Sequence, residues 1–250
     1  MDSRLVRLDR LIAGQLGLTR KQTRLICRQG RASVDGVPAR SGEQKVDPAS
    51  QTICIDGKRL SYRDFVYLML HKPAGILSAS RDASRPTVID LAPAEFAHRP
   101  LFPVGRLDRD TTGLLLLTDD GETAHRILSP RRHVAKVYEA ALDAPLPDHA
   151  ENAFANGMTL ADGSHCRPAG LSVVVPGDKP VVRVVLTEGM YHQIKRMFGA
   201  LGLGVDTLHR LSMGPLSLDP SLAPGECREL TEEERLLLLQ TAAGTDQPTE

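Results

Sequence analysis

Residues 105–118 read Gly-Arg-Leu-Asp-Arg-Asp-Thr-Thr-Gly-Leu-Leu-Leu-Leu-Thr, a charged loop running directly into an apolar stretch. The run Leu114–Leu117 closes on Thr118 and the turn residues Asp119, Asp120 and Gly121. A short apolar run bounded by turn signals predicts a buried strand. Arg106, Asp108, Arg109 and Asp110 are then held on a loop at the mouth of that strand. A carboxylate fixed among guanidinium groups stays ionised, because positive neighbours favour its charged form. Ionised, oriented and rigidly supported is what a nucleophilic carboxylate needs. The same residues would also suit a solvated salt-bridge cluster, and local chemistry alone leaves both readings open.

Outward from this stretch, Phe65–Leu70 predicts a strand broken at His71-Lys72-Pro73-Ala74-Gly75. Ser78–Pro86, polar and carrying Arg81 and Arg85, predicts an exposed loop. Glu122–Leu128 predicts a short helix ended by Ser129-Pro130, with Thr118–Gly121 as its turn and cap. The basic cluster Arg131-Arg132-His133 precedes a strand over Val134–Leu142, whose alternation places Lys136 and Tyr138 on one face. Val181–Leu186 predicts another strand, leading into Glu188-Gly189-Met190-Tyr191-His192-Gln193-Ile194-Lys195-Arg196-Met197. Arg235–Leu239 extends a last helix, and the polar end from Thr241 predicts fraying.

The first 58 residues form a basic module. They hold 11 Lys+Arg against 6 Asp+Glu, a net +5, and the remainder holds 20 against 25, a net −5. The overall zero therefore hides an asymmetry that points to a polyanionic partner for the N-terminal part. Leu5, Leu8, Ile12 and Leu16 give one apolar helix face, stopping near Gly17. Thr19 and Gln22 have capping-box spacing, so a second helix begins at Arg20 and carries Arg20, Arg24 and Arg28 along one side. Three guanidinium groups so placed repel one another without an anion, and phosphate fits their forks. Val34-Asp35-Gly36-Val37 predicts a tight hairpin.

The segment Gly105–Gly113 closely resembles the signature Gly-Arg-Leu-Asp-Xaa-Xaa-Thr-Xaa-Gly of the pseudouridine synthases, whose essential aspartate matches Asp108. Three other stretches are similar to the same family: His71–Gly75, with His71 where the family shows Asn; Lys136-Val137-Tyr138; and Glu188–Met197, with Met190 where a basic residue is frequent. The wording Tyr191–Lys195 is most like the small-subunit rRNA branch (RsuA type), and the likeness covers about residues 4–238. Arg7-Leu8-Asp9-Arg10 through Ile55-Asp56-Gly57 resembles the alpha-L (S4-like) RNA-binding domain.

The resemblance implies an α+β fold in which a small S4-like domain precedes a catalytic domain with a bent, mainly antiparallel sheet. The boundaries read as 1–58 for the RNA-binding domain, 59–63 for a linker, 64–238 for the catalytic domain and 239–250 for a disordered tail. It implies isomerisation of uridine to pseudouridine in ribosomal RNA, most naturally 16S rRNA within a pre-assembled small-subunit ribonucleoprotein. Asp108 is the implied nucleophile, Tyr138 stacks on the flipped-out base, and Lys195 pairs with Asp108. Arg106 braces the vacated position, Arg196 supports the loop or reaches phosphate, and Arg7, Arg20, Arg24 and Arg28 hold RNA. Isomerisation changes no oxidation state, so no cofactor and no metal are expected. A large-subunit (23S) rRNA target and a non-catalytic RNA-binding or ribosome-assembly factor are the alternatives.

Composition excludes other classes. Cys27, Cys54, Cys166 and Cys227 are scattered without a Cys-Xaa-Xaa-Cys pair, against a zinc ribbon or a disulfide scaffold. Charged residues follow Met1 at once, and no apolar run of about eighteen residues occurs. A cytoplasmic monomer without membrane association is the expectation. Asp119 and Asp120 sit at the far end of the strand from Asp108 and Asp110, roughly 25–30 Å away at about 3.3 Å per residue, too far for a shared metal or a glycosidase pair.

Overall fold

The computed structural model describes residues 5–129 and 131–244; residues 1–4, Pro130 and residues 245–250, the last part of the expected tail, lie outside the described residues. The chain divides into two compact units, one of residues 1–65 with 93–100 and the other of residues 66–92 with 101–250.

In the first unit, α1 (Leu8–Leu16) ends on Gly17 in the left-handed region, and α2 (Arg20–Arg28) opens on the Thr19–Gln22 capping box. Helix α1 starts later than the apolar spacing implied: Leu8, Leu11 and Ile12 are buried, while Leu5 and Leu16 are exposed. Four strands follow in the order 37–38, 32–34, 53–55, 58–59, all antiparallel. Asp35 and Gly36 both take positive φ, as the tight hairpin requires. Leu8, Leu11, Ile12, Ile26, Val34 and Ile53 close one core. Lys58–Arg59 pairs with Ile53–Ile55, so the expected boundary after Lys58 falls inside a hairpin. The segment 93–100 groups with this unit, with His98 Nε2 against Gly14 O at 3.1 Å.

The second unit is built on a nine-stranded mixed sheet. Its main path runs 170–175, 181–186, 136–142, 205–213, 112–118, 67–72, 227–229. Every neighbour on this path is antiparallel except the 205–213 and 112–118 strands. The predicted strand from the charged loop is Thr112–Thr118, with Leu114–Leu117 buried throughout. It lies inside the sheet, between strands 205–213 and 67–72. On one face Tyr67, Met69, Leu114 and Leu116 pack with α3 (Gly121–Leu128) and α6 (Glu232–Ala243). Helices α4 (Ala150–Asn156) and α5 (Gln193–Ala200) meet through Phe154 and Phe198, ring centres 5.0 Å apart. Asp120 caps α3 by accepting from the Glu122 and Thr123 amides. Helix α6 continues to Ala243, so residues 239–243 are helical where a disordered tail was expected.

One row across the sheet positions everything that follows. Lys72 pairs with Gly113, Gly113 with Arg210, Arg210 with Tyr138, and Tyr138 with Val184. Directly paired residues share a face, so Lys72, Arg210 and Tyr138 project together on either side of a residue without a side chain. Gly113 has φ +102°, and a Cβ there would sit 2.2 Å from Arg210 O and 2.6 Å from Arg210 N. Backbone strain and an immovable backbone clash coincide at this position. Gly113→Ala is expected to cost more than about 4 kcal/mol, lowering Tm by at least about 8 °C for a chain of this size. A thermal midpoint within 2 °C of the parent would contradict the close approach.

Candidate active site

The charged loop is fastened from below and from both ends. Lys72, at the end of strand Tyr67–Lys72, is 0% exposed. Its ammonium donates to Pro73 O at 3.0 Å, Arg109 O at 3.2 Å and Thr111 O at 2.9 Å. One proton is available for each carbonyl. The amide of Gly75 donates to Arg109 O at 2.8 Å, tying the loop to the turn that breaks the strand. Ser78 Oγ donates to Leu107 O at 2.8 Å and accepts from Leu107 N–H at 3.1 Å. Within the loop, Thr111 N–H donates to Asp108 O at 3.1 Å and closes a turn around Arg109 and Asp110.

This framework presents two carboxylates to α5. His192, at the N-cap of α5 with φ +48°, brings Nε2 to 3.4 Å from Asp108 Oδ1. Its ring stacks on Tyr191, centres 3.9 Å apart. Lys195 lies one helical turn further and bonds both oxygens of Asp110, at 2.6 and 2.7 Å. Its distance to Asp108 Oδ2 is 4.0 Å, at the limit of an ion pair. The expected pairing of Lys195 with Asp108 is therefore shared, and the hydrogen bonds go to Asp110. A lysine ammonium is a compact point charge without arginine's planar fork, and here the nearer carboxylate takes its hydrogen bonds. The Lys195 hydrogen bonds hold the Asp110 carboxyl below the usual carboxylate range. Burial pushes the Lys72 ammonium down to about 8, against the opposing pull of the Asp110 and Asp108 charges.

Asp108 faces a pocket of about 90 Å³ whose lining includes Arg106, Thr111, Tyr138, Glu188 and His192. Tyr138 is buried, with the Arg210 guanidinium 6.0 Å from its ring centre. Arg210 is itself 2% exposed and donates from Nε to Leu114 O at 2.7 Å. Arg106 is exposed at the pocket's edge. Arg196 points elsewhere, to Asp162 Oδ2 at 2.5 Å, Ser164 Oγ at 3.2 Å and Tyr191 O at 3.3 Å, supporting a neighbouring loop. Among the described residues, no group of three or more His, Cys, Asp or Glu is arranged to hold a metal.

The arginines of the first unit divide by partner. Arg7 bonds the buried Asp9 at 3.1 and 2.8 Å and reaches Glu43 at 3.2 Å. Arg24 Nε lies 3.7 Å from Asp9. Arg20 and Arg28 are exposed, and neither forms an ion pair among the described residues. The continuous cationic face expected of α2 is thus neutralised at its middle by an aspartate from α1.

Sequence reasoning missed Lys72, Ser78, Thr111 and His192. Lys72 and His192 stood in stretches quoted for their family likeness, and Thr111 within the signature itself. None carried a local sign of what it would touch.

The family profile described as RNA pseudouridylate synthase matches residues 66–200. The uncharacterized RNA pseudouridine synthase YtzG of Bacillus subtilis (strain 168) is 44% identical over 240 residues, covering 95% of this chain and 100% of that protein. Ribosomal small subunit pseudouridine synthase A of Escherichia coli (strain K12) is 42% identical over 231 residues, covering 92% and 98%. A crystal structure of a pseudouridylate synthase superposes with a TM-score of 0.65 at 38% identity, covering 93% of this chain and 99% of that one.

The electrostatics of the loop can be read directly from the Lys72 side chain. In a lysine-labelled NMR titration, Lys72 is expected to lose its proton near pH 8. Asp110→Asn removes one of the negative charges that hold the proton on, so the midpoint should move to lower pH. A Lys72 midpoint near the ordinary 10.5, or an upward move in Asp110→Asn, would contradict this assignment.

Proposed function

The chain belongs to the RNA pseudouridylate synthase family, and from that membership we propose that it converts a uridine of small-subunit (16S) ribosomal RNA to pseudouridine with Asp108 as nucleophile. The supporting observation is the Asp108 carboxylate itself. It is held by a turn locked onto a buried ammonium, and it faces a pocket that Tyr138 also lines. The reaction detaches uracil from ribose, turns it and rejoins it through a ring carbon. It needs a group that holds one fragment while the other rotates. Asp108 fills that role whether it attacks the anomeric carbon, attacks the uracil ring or assists glycal formation.

The target uridine must leave its helix to reach the pocket, at a cost of a few kcal/mol in unstacking and unpairing. Tyr138 offers the ring on which the extruded base stacks, and Arg106, at the pocket's edge, braces the vacated position. Lys195 with Asp110, and His192 beside Asp108, set the charge around the nucleophile. Residues 1–58 supply an RNA-binding domain of the S4 type, with Arg20 and Arg28 as its phosphate-contacting side chains and Arg7 and Arg24 partly committed to Asp9. The substrate is rRNA within a partly assembled small subunit, met by a monomeric protein in the cytoplasm. The small-subunit choice rests on the likeness to the E. coli enzyme.

Pseudouridine mapping of rRNA from cells lacking this protein, complemented by the parent or by Asp108→Asn, tests the reading. Loss of one 16S site, restored by the parent and not by Asp108→Asn, is the expected result. A site lost in 23S rRNA would overturn the substrate, and no lost site would favour a binding or assembly factor.

A further inference from the structure

Two buried polar atoms on the catalytic face of the sheet have no protein partner among the described residues, Thr111 Oγ1 and Arg210 NH2. Buried polar groups in folded proteins are almost always hydrogen-bonded, so each exception calls for a reason. Arg210 has local compensation in its bond to Leu114 O and the Tyr138 ring beside it. Thr111 has none. The residue is 1% exposed, and its backbone is fully engaged, the amide with Asp108 O and the carbonyl with Lys72 Nζ. Only the hydroxyl remains unused, and Thr111 lines the same pocket as Asp108 and Tyr138. The adjacent threonine behaves differently: Thr112 Oγ1 meets His209 Nδ1 at 2.8 Å.

We infer that the Thr111 hydroxyl contacts the uracil ring taken into the pocket, donating a hydrogen bond to one of its carbonyl oxygens. The inference rests on the uridine reading above and adds a substrate contact to it. Uracil presents two carbonyl oxygens and one ring N–H. When its bond to ribose breaks, the electron pair stays with the ring and negative charge spreads onto those oxygens. A neutral donor fixed in a buried site binds that charge more strongly than it binds the neutral base, so its effect falls on the chemical step. The turn from Asp108 to Thr111 gives the donor and the nucleophile a fixed separation. The substrate oxygen gives the hydroxyl a partner that no described protein group provides.

Thr111→Val keeps the branched shape and removes the hydroxyl, whereas Thr111→Ser keeps it. The experiment measures turnover of rRNA uridine by the full-length protein, and the thermal midpoint of each variant without RNA. Thr111→Val is expected to lower kcat about 100-fold with little change in KM. Its Tm should be unchanged or raised, since an unpaired buried polar group has been removed. Thr111→Ser should retain turnover within about 10-fold of the parent. A fall in Tm for Thr111→Val would make the hydroxyl a structural group and overturn the inference. Parental turnover with an equally active Thr111→Val variant would overturn the inference alone. A parent that converts no uridine would overturn it together with the reading beneath it.

Discussion

The buried ammonium of Lys72 is the interaction on which the rest of the site depends. A cation withdrawn from water is stable only if its protons are met, and here three carbonyls meet them. Two of those carbonyls, of Arg109 and Thr111, belong to the loop that carries Asp108, so satisfying the lysine and shaping the loop are one event. Hydrogen bonds to charged groups contribute roughly 1.5–3 kcal/mol each, enough for three of them to hold a short charged loop in one conformation. The carboxylates of Asp108 and Asp110 in turn help to keep the lysine charged. Anchor and loop are mutually supporting.

The row containing Lys72 continues this logic across the sheet. Gly113 lets the parallel neighbour approach within a distance that no Cβ would survive. Beside that approach, Arg210 reaches Leu114 O and lies near the Tyr138 ring. A side chain at residue 113 would therefore disturb both the attachment of the Asp108 loop and the neighbours of Tyr138. Helix α5 completes the arrangement by delivering His192 and Lys195 to the carboxylates from the other side. His192 does so from a left-handed backbone conformation that a bulky residue adopts only where its surroundings require it.

What could be read from the sequence was whatever rested on neighbours along the chain. The Thr19–Gln22 capping box, the Asp35-Gly36 hairpin, the buried strand after Gly113 and the Asp120 cap all depend on contacts within a few residues. What could not be read depended on distant partners. The pairing of Lys195 with Asp110 is set by where α5 docks, and the two carboxylates differ by only two positions in the chain. Lys72 stood in the stretch that breaks a strand with no sign of its burial, because nothing local shows that a loop 37 residues away will lie over it. Arg24 looked like the centre of a cationic face until α1 brought Asp9 beside it. The apolar spacing from Leu5 fitted a helix that in fact begins at Leu8, so Leu5 lies outside it, and Leu16, its last residue, is exposed.

The most direct test of the Lys72 anchor is amide hydrogen exchange over residues 106–112, comparing the parent with Lys72→Met. Methionine fills similar volume without donating a hydrogen bond. Protection in this segment of the parent, lost in Lys72→Met while strand 114–118 stays protected, is the expected result. Equal protection of residues 106–112 in the two proteins would show that the loop holds its shape without the ammonium, and would contradict the account.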